Sequence, residues 1–305
     1  MQLKIHDDFE VVDLGIQELE VYDIEVEDTH NFFGNDILVH NSAYFEFSDL
    51  VNILCPDSTD VFEITDRLDV ILKEIIQPEI IKQTEELCCY LNNYDNKMIW
   101  EREVISPVSI NVAKKRYAMM ITDSEGVRYS TPKMKIIGLD SKRSSTPKWA
   151  KSALEHCYKL ALEDKKVEMH EFIDELYNNF TNMNPSEIAI PRSVSNIEKY
   201  ESQGHAIKGT PKHVKAAIYH NSLIDKLKLN HIEKIKSGNK LKFIELKPRN
   251  PLGYDVIGFT TYLPKEFELD KYVDYDTIFE KGFKSPLQNF LNSIKWTTEE
   301  IITLF

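Results

Sequence analysis

The sequence predicts a multidomain chain in which a short strand-rich segment precedes a larger α+β region. Two observations support this division. Apolar and polar residues alternate in short runs before residue 42, whereas longer runs with a helical period begin near residue 59. Charge changes at the same place, because residues 1–41 contain one lysine and eleven acids, which is −10 of the net −13 of the whole chain.

The first segment contains two alternating runs, residues 10–14 and 19–26, that indicate half-buried strands. A turn at Gly34–Asp36 precedes a third strand at Ile37–Val39. Because so short a segment cannot bury a core alone, we expect it to be poorly folded until a partner binds. Its acidity either favours a basic partner surface or keeps a strand face soluble.

The larger region combines helices and strands. Residues 59–91 predict two amphipathic helices separated near Pro78. Three alternating runs predict strands at residues 98–105, 116–121 and 134–137, with a turn at 124–126. A helical period returns over 147–180, and one side of it carries Ala153, Leu154, Cys157, Leu160, Ala161 and Leu162. This order is an α+β pattern.

Composition excludes several classes of protein. No stretch qualifies as a signal peptide or a membrane span, and no internal repeat is evident. The cysteines Cys55, Cys88, Cys89 and Cys157 lack the spacing of a metal site. The adjacent pair Cys88–Cys89 lies in an apolar helical run, which favours a reduced, intracellular protein.

The first segment ends in His40-Asn41-Ser42, and His30 lies ten residues before His40. An asparagine amide can attack its own backbone carbonyl, form a succinimide and cleave the chain, provided that a proton donor and a base are near. His40 is adjacent, and His30 comes close if the strands pair. The Ser42 hydroxyl can first accept an acyl group. Taken singly, these residues would be ordinary histidines and a turn or helix cap.

The order, spacing and hydrophobic context of these residues resemble the C-terminal half of an intein. The resemblance implies an all-β fold for residues 1–41 and splicing in trans, without a cofactor, with an N-terminal intein half on another chain. It also implies that Asp23 handles protons near Ser42, although such a residue is usually a solvated strand residue. A degenerate remnant, or a domain that only cleaves after Asn41, are the alternatives.

A second set of landmarks, basic, proline and glycine residues in a fixed order, extends along residues 42–305. They are Lys114–Ala118, Lys135–Leu139, Ser144–Lys148, Pro211–Val214, Asn250–Gly253 and Phe279–Leu287. They resemble family B DNA polymerases of tailed bacteriophages. The resemblance implies the end of a palm (42–138), a mostly helical thumb (139–295) and a clamp-binding tail (296–305). Ser42–Tyr44 fit the end of the metal-binding hairpin motif, whose aspartates would lie on the partner chain.

The same resemblance assigns roles around the growing primer end. Glu103 matches an acid close to the two Mg²⁺ ions of the assembled polymerase. The candidate DNA-binding residues Lys114, Lys115, Arg116 and Tyr117 match a motif that contacts the minor groove, whose acceptors are nearly independent of sequence. Solvent-facing strand residues are the alternative in both places. Residues 106–113 are shorter than in the phage counterparts and lack their glycines, so the geometry before Lys114 stays open.

Residues 192–249 contain thirteen lysines or arginines and five acids, a local net charge of +8. Within this region the candidate DNA-binding residues are Arg192, Lys199, Lys212 and His213. Such residues would hold duplex phosphates without reading sequence. The alternative is a solvated basic face.

The chain ends in an apolar cluster after two acids. The resemblance implies that Ile301, Ile302, Leu304 and Phe305 dock on a sliding clamp, and the alternative is a helix end packed on the thumb. Together the patterns predict a precursor of a replicative polymerase, inactive alone, in the cytoplasm of a phage-infected bacterial cell. Its partners would be an N-terminal polymerase chain, primer-template DNA, dNTPs and the clamp. The alternative function is a DNA-binding subunit that assembles non-covalently.

Overall fold

The computed structural model describes residues 31–34, 37–40, 46–56, 58–96, 98 and 100–299. The chain divides into two compact units. The first unit comprises Met1–Ile105 and Thr122–Ser130, and the second comprises Ser106–Ile121 and Thr131–Phe305. Helices and sheets occur in the described residues, so the mixed α and β composition predicted for the larger region is confirmed. The strands predicted at 10–14 and 19–26 lie outside the described residues.

A short hairpin is described in the N-terminal segment. Strand β1 (Asn31–Gly34) pairs antiparallel with β2 (Ile37–His40), and Asn31 lies opposite His40. The predicted strand at 37–39 is therefore confirmed. The rest of the all-β segment predicted for 1–41 remains a prediction.

One continuous helical run dominates the first unit. After α1 (Ser48–Leu54), α2 (Val61–Ile71) begins at Asp60, whose carboxylate accepts the Phe62 amide, 2.9 Å away. A π-helical turn (Leu72–Ile76) leads into α3 (Gln77–Tyr90). The two helices predicted for residues 59–91 are confirmed as α2 and α3, but the π-helical turn before Pro78 joins them into one run. Proline cannot donate to the preceding turn, and a wider turn is one way for a helix to absorb that missing bond.

A four-stranded sheet follows the helical run. Its strands are β3 (Val104–Ile105), β4 (Val108–Ala113), β5 (Arg116–Ser124) and β6 (Val127–Ile137), with β3, β4 and β6 all paired to β5. The strands predicted at 116–121 and 134–137 and the turn at 124–126 are confirmed. Of the strand predicted at 98–105, only Val104–Ile105 is a strand among the described residues. Side chains instead hold the preceding segment, because Gln77 Nε2 donates to the Trp100 carbonyl oxygen at 3.0 Å.

Helices make up much of the second unit. The predicted helical region 147–180 is confirmed as two helices, α4 (Lys148–Leu162) and α5 (Lys166–Phe180). Three more follow in α6 (Pro185–Ile188), α7 (Ile197–Tyr200) and α8 (Lys212–Leu227). Near the C-terminus, α9 (Tyr275–Phe279) continues through a π-helical turn (Glu280–Lys284) into α10 (Ser285–Leu291). Short 3₁₀ turns cover Asp140–Lys142, Lys265–Phe267, Asp270–Tyr272 and Asn292–Ile294.

The second unit also contains an antiparallel sheet that the sequence patterns did not predict. Strands β7 (Ile190–Ser193), β10 (Lys240–Glu245) and β11 (Val256–Phe259) lie in the order β11-β10-β7. A small hairpin pairs β8 (Glu201–Ser202) with β9 (His205–Ala206). Helix α8 packs closely on β11, since a Cβ placed on Gly258 would lie 3.0 Å from the Ala216 carbonyl carbon.

Two hydrophobic clusters stabilise the second unit. The larger one contains the predicted face of α4 together with the aromatic side chains of Phe180, Phe279, Phe283 and Phe290. The smaller one packs α8 against β10 and β11. Burial raises the pKa of the Cys157 thiol, which lies in the larger cluster. Cys88 is also buried, whereas its neighbour Cys89 is exposed.

Among the described residues, no helix is long and apolar enough to cross a membrane. The predicted domain boundaries at 41/42, 138/139 and 295/296 remain predictions.

Candidate nucleic-acid interface

The predicted basic motif forms the tip of a hairpin in the second unit. Lys114 and Lys115 are the two turn residues between β4 and β5, and Ala113 pairs with Arg116. Lys115 has a positive φ of 60°, which completes the reversal within two residues. Lys114 is exposed, and Lys115, Arg116 and Tyr117 are half-buried. Residues 108–113, whose geometry the sequence left open, are therefore a strand that needs no glycine.

Gly138 fits directly against this turn. Its φ is 62°, and a Cβ at this position would overlap the Lys115 carbonyl oxygen and lie 3.2 Å from the carbonyl carbon. Only glycine permits so close a backbone approach. The landmark at 135–139 and the basic motif at 114–118 are therefore in contact, through the backbones of Gly138 and Lys115.

Arg116 is held in place by an acid from the following segment. Its Nη2 lies 3.4 Å from Asp140 Oδ2, and Arg143 Nη1 lies 2.9 Å from Asp140 Oδ1. The Thr146 hydroxyl donates to the Asp140 carbonyl oxygen at 2.7 Å. Burial, followed by the negative charge of Asp140, raises the pKa of the Tyr158 phenol. Asp140 thus orients Arg116 and offsets its positive charge. Of the two turn lysines, Lys114 is exposed at the tip, whereas the Nζ of Lys115 is buried.

A second basic site lies at the start of α8. Lys212 Nζ donates to both carboxylate oxygens of Glu245, at 2.8 and 2.7 Å, and Lys281 Nζ donates to Glu245 Oε1 at 3.0 Å. Glu245 is 6% exposed, whereas the two lysine side chains are nearly half exposed. Burial acts to lower the pKa of Lys212, but the hydrogen bonds around it and the negative charges of Glu245 and Asp255 together raise it. One buried carboxylate therefore fixes two ammonium groups side by side.

Lys281 was not among the predicted site residues. It lies 36 residues from Glu245 in the chain, so no local pattern joins them. One signal was present: Glu245 lies between the apolar residues Ile244 and Leu246, and a charge that is buried in a strand requires partners.

His213 and Arg192 lie close enough to influence each other. Burial lowers the pKa of His213, and the positive charge of Arg192 lowers it further. Both effects disfavour the protonated, cationic form of His213. Arg192 is exposed in β7, and Lys199 is exposed in α7, with its Nζ 5.6 Å from the centre of the Tyr200 ring.

In the first unit, Glu103 is exposed and follows Arg102, which belongs to a partly buried ion-pair network. Arg102 pairs with Asp123, and its Nη2 lies 2.9 Å from Asp69 Oδ1. Arg128 Nη2 lies 2.6 Å from Asp66 Oδ1. Asp123 also accepts the Gly126 amide at 3.0 Å, which ties the β5–β6 turn to the network. The network fixes the backbone that carries Glu103.

A magnesium site needs several oxygen ligands close together. No group of three histidine, cysteine, aspartate or glutamate residues that could hold a metal occurs in the described part of the chain. Glu103 could add one carboxylate to a site completed elsewhere, but the described residues do not fit a metal site of their own.

The beginning of the C-terminal tail packs on the second unit. Gln288 Nε2 donates to the Trp296 carbonyl oxygen at 3.0 Å, and the Thr298 amide donates to Gln288 Oε1 at 2.9 Å. His170 Nε2 lies 2.8 Å from the Thr297 carbonyl oxygen. The predicted clamp anchors lie beyond this point, outside the described residues: Ile301, Ile302, Leu304 and Phe305.

The predicted splicing residues fall mostly outside the described structure. His40 ends strand β2, and Asn31 opposite it is the neighbour of His30 in sequence. Asp23, His30, Asn41 and Ser42 lie outside the described residues.

Comparison with known proteins gives relatives for most of the chain, although no family model matches it. The DNA-directed DNA polymerase of Escherichia phage RB69 is 31% identical over 255 residues, which are 79% of this chain and 28% of that protein. The DNA-directed DNA polymerase of Enterobacteria phage T4 is 30% identical over 244 residues, 76% of this chain and 27% of that protein. A DNA polymerase of Thermococcus litoralis is 28% identical over 252 residues, 82% of this chain and 12% of that protein. Most of this chain is therefore similar to a limited part of phage and archaeal DNA polymerases.

Proposed function

We propose that this chain supplies the C-terminal part of a family B DNA polymerase and is joined to an N-terminal polymerase chain by protein trans-splicing. The observation that carries the polymerase assignment is the similarity of 79% of the chain to the RB69 enzyme. Because the chain spans only 28% of that relative, polymerase activity belongs to the assembled protein.

Two surfaces of the second unit would hold primer-template DNA. The hairpin tip at Lys114–Tyr117 presents the exposed Lys114 and the half-buried Tyr117 on a rigid turn, which suits contact with minor-groove acceptors. Lys212 and Lys281, which are both held by Glu245, present two ammonium groups to phosphates. Arg192 and Lys199 are exposed in the same unit and add positive charge. Neither arrangement reads base sequence, as DNA synthesis on any template requires.

The chemistry of nucleotide transfer would be completed by the partner chain. Two Mg²⁺ ions, when bound in the assembled enzyme, would stabilise charge at the primer oxygen and the dNTP phosphates. Glu103 would contribute a carboxylate near them, and Arg102 would keep the Glu103 backbone in place.

Splicing would use the junction at residues 41 and 42. After the Ser42 hydroxyl has accepted the acyl group of the partner, the Asn41 amide nitrogen attacks its own backbone carbonyl. The Asn41–Ser42 peptide bond breaks, a succinimide forms on the intein, and the amine of Ser42 is released. His40 and His30 would supply the protons that move in this step, and Asp23 would handle protons at Ser42. The β1–β2 hairpin supports this role, since it places Asn31, the residue that follows His30 in the sequence, opposite His40.

The tail would dock on a sliding clamp through Ile301, Ile302, Leu304 and Phe305. All of these events would take place in the cytoplasm of an infected bacterium.

The splicing proposal is tested by mixing the purified chain with the N-terminal polymerase chain that carries the other intein half. Intact-mass analysis should show loss of residues 1–41 and a new protein joined through Ser42. Asn41→Ala should stop release of the intein while permitting a branched species, and Ser42→Ala should stop ligation. Recovery of only the two unreacted chains under native, reducing conditions would overturn trans-splicing.

The DNA-binding proposal is tested in the ligated product. Lys115→Ala should weaken primer-template binding and extension while splicing yield stays unchanged. Lys133→Ala is a control lysine on β6, outside the hairpin tip. An equal loss of splicing yield with Lys115→Ala would show that this lysine supports folding instead.

A further inference from the structure

The helical run of the first unit carries an apolar stripe. Large apolar residues recur along residues 61–90 at spacings of three, four and seven, the pattern of one helix face. The stripe comprises Ile64, Ile71, Leu72, Ile75, Ile76, Ile80, Leu87 and Tyr90. All eight residues are half-buried or exposed. Ile75 and Tyr90 are each 61% exposed.

The helix makes only a narrow contact with its own unit. The buried residues of α2 and α3 are Thr65, Leu68, Thr84 and Cys88. Two of the four are threonines, and the Thr65 hydroxyl hydrogen-bonds that of Thr122 at 2.8 Å. In the described structure Ile75, Leu87 and Tyr90 of the stripe are therefore exposed, and its other five residues are half-buried.

The first unit also lacks a hydrophobic core among its described residues. Both hydrophobic clusters consist of residues from the second unit. In the described part of the first unit, the buried apolar residues are Cys55, Leu68, Cys88 and Ile105. An amphipathic helix needs a second layer against which to bury its stripe, and a large exposed apolar patch marks an interaction site.

We propose that the apolar stripe binds the chain that carries the remaining part of the polymerase, and that this docking does not depend on the intein segment. This inference rests on the proposed function. Under the proposed function the occupant is the chain with the remaining polymerase sequence, since the part matched here is 28% of the RB69 relative and the other 72% lies beyond it. That remainder supplies the missing layer.

Charge argues against a second copy of this chain as the occupant. The run 61–90 carries seven acids and three basic residues. Arg102 and Arg128 compensate two of the acids, Asp69 and Asp66, and the surface remains negative. Two such surfaces repel each other, whereas a partner with a basic rim around an apolar centre is attracted.

The experiment uses the full chain with Asn41→Ala and Ser42→Ala, which blocks splicing. Its partner is the N-terminal polymerase chain ending at its last polymerase residue, without an intein half. The two should form a complex in sedimentation velocity. Ile75→Asp with Tyr90→Asp should raise Kd by about tenfold or more, since exposed anchors of this kind carry much of the binding energy.

A matched control places the same charges on equally exposed apolar residues of the second unit. Val167 and Tyr262 are 60% and 65% exposed, so Val167→Asp with Tyr262→Asp should leave Kd within about twofold. Circular dichroism melting checks that both variants fold.

Equal Kd values for the two variants would overturn the assignment of the stripe. So would a homodimer of the chain alone that the stripe variant abolishes. Absence of any complex, together with a spliced product that extends primers, would overturn splicing-independent docking while the proposed function stands.

Discussion

Substitution of Gly138 by alanine tests whether the basic hairpin is held by close backbone contact. The left-handed φ of 62° costs an L-residue about 1–2 kcal/mol. The new Cβ would also overlap the Lys115 carbonyl oxygen, and relief of such an overlap costs about 1–3 kcal/mol more. We therefore expect Gly138→Ala to lower the free energy of unfolding by about 2–5 kcal/mol.

Gly253 provides a matched control, because its φ is 66° and a Cβ there would meet nothing within 4 Å. Gly253→Ala should lower the free energy of unfolding by only the cost of the left-handed backbone, about 1–2 kcal/mol. Urea unfolding followed by tryptophan fluorescence measures both, since Trp149 and Trp296 report on the second unit. In the ligated product, Gly138→Ala should also weaken primer-template binding by displacing the turn lysines. Equal losses of stability for the two alanine variants would refute the argument.

Three further predictions concern other parts of the second unit. Glu245→Gln should lower stability by about 1–2 kcal/mol, because Lys212 and Lys281 lose their shared acid but can still reach water. It should at the same time strengthen DNA binding at low salt, and weaker binding would contradict the pairing. Burial lowers the pKa of His220, so the unfolded state binds more protons as pH falls through about 6.5, the ordinary histidine value. Stability should therefore decrease between pH 7 and pH 5, and a steeper decrease in His220→Gln would exclude this cause. Deletion of Ile301–Phe305 should preserve short-primer extension and abolish clamp stimulation of product length; a truncated protein that melts several degrees lower yet retains stimulation would assign the tail to packing.

Local sequence patterns predicted the helices and strands that bury one regular face against their own unit. Helix α4 was predicted from the spacing of Ala153, Leu154 and Cys157, and all three are buried as that spacing requires. Strand β5 was predicted from 116–121 and extends three residues further, because Asp123 is held by Arg102 and continues the ladder. Patterns of this kind work because one face of the element is buried against its own chain.

The patterns failed at one local irregularity of the backbone and at sites that depend on residues distant in the sequence. Pro78 indicated a break, yet a π-helical turn carried the helix past it. Residues 98–103 alternate like a strand, but ion pairing of Arg102 and a hydrogen bond to the Trp100 carbonyl oxygen hold the segment instead. The Glu245 site joins residues more than thirty positions apart, so it needed the fold to be known.

The distribution of charge links the two proposed functions. The first forty-one residues carry −10 of the net −13, from one lysine and eleven acids, so residues 42–305 carry only −3. The acidic charge of this segment disfavours association with DNA phosphates, whereas Lys114 and the lysines of α8 attract them. Excision at Asn41, which follows the transfer of the partner's acyl group to Ser42, would remove that acidic charge during the reaction that joins the polymerase parts. DNA affinity would then rise only when the chain that can use it is complete, which gives the acidity of the segment a role beyond attraction of its intein partner.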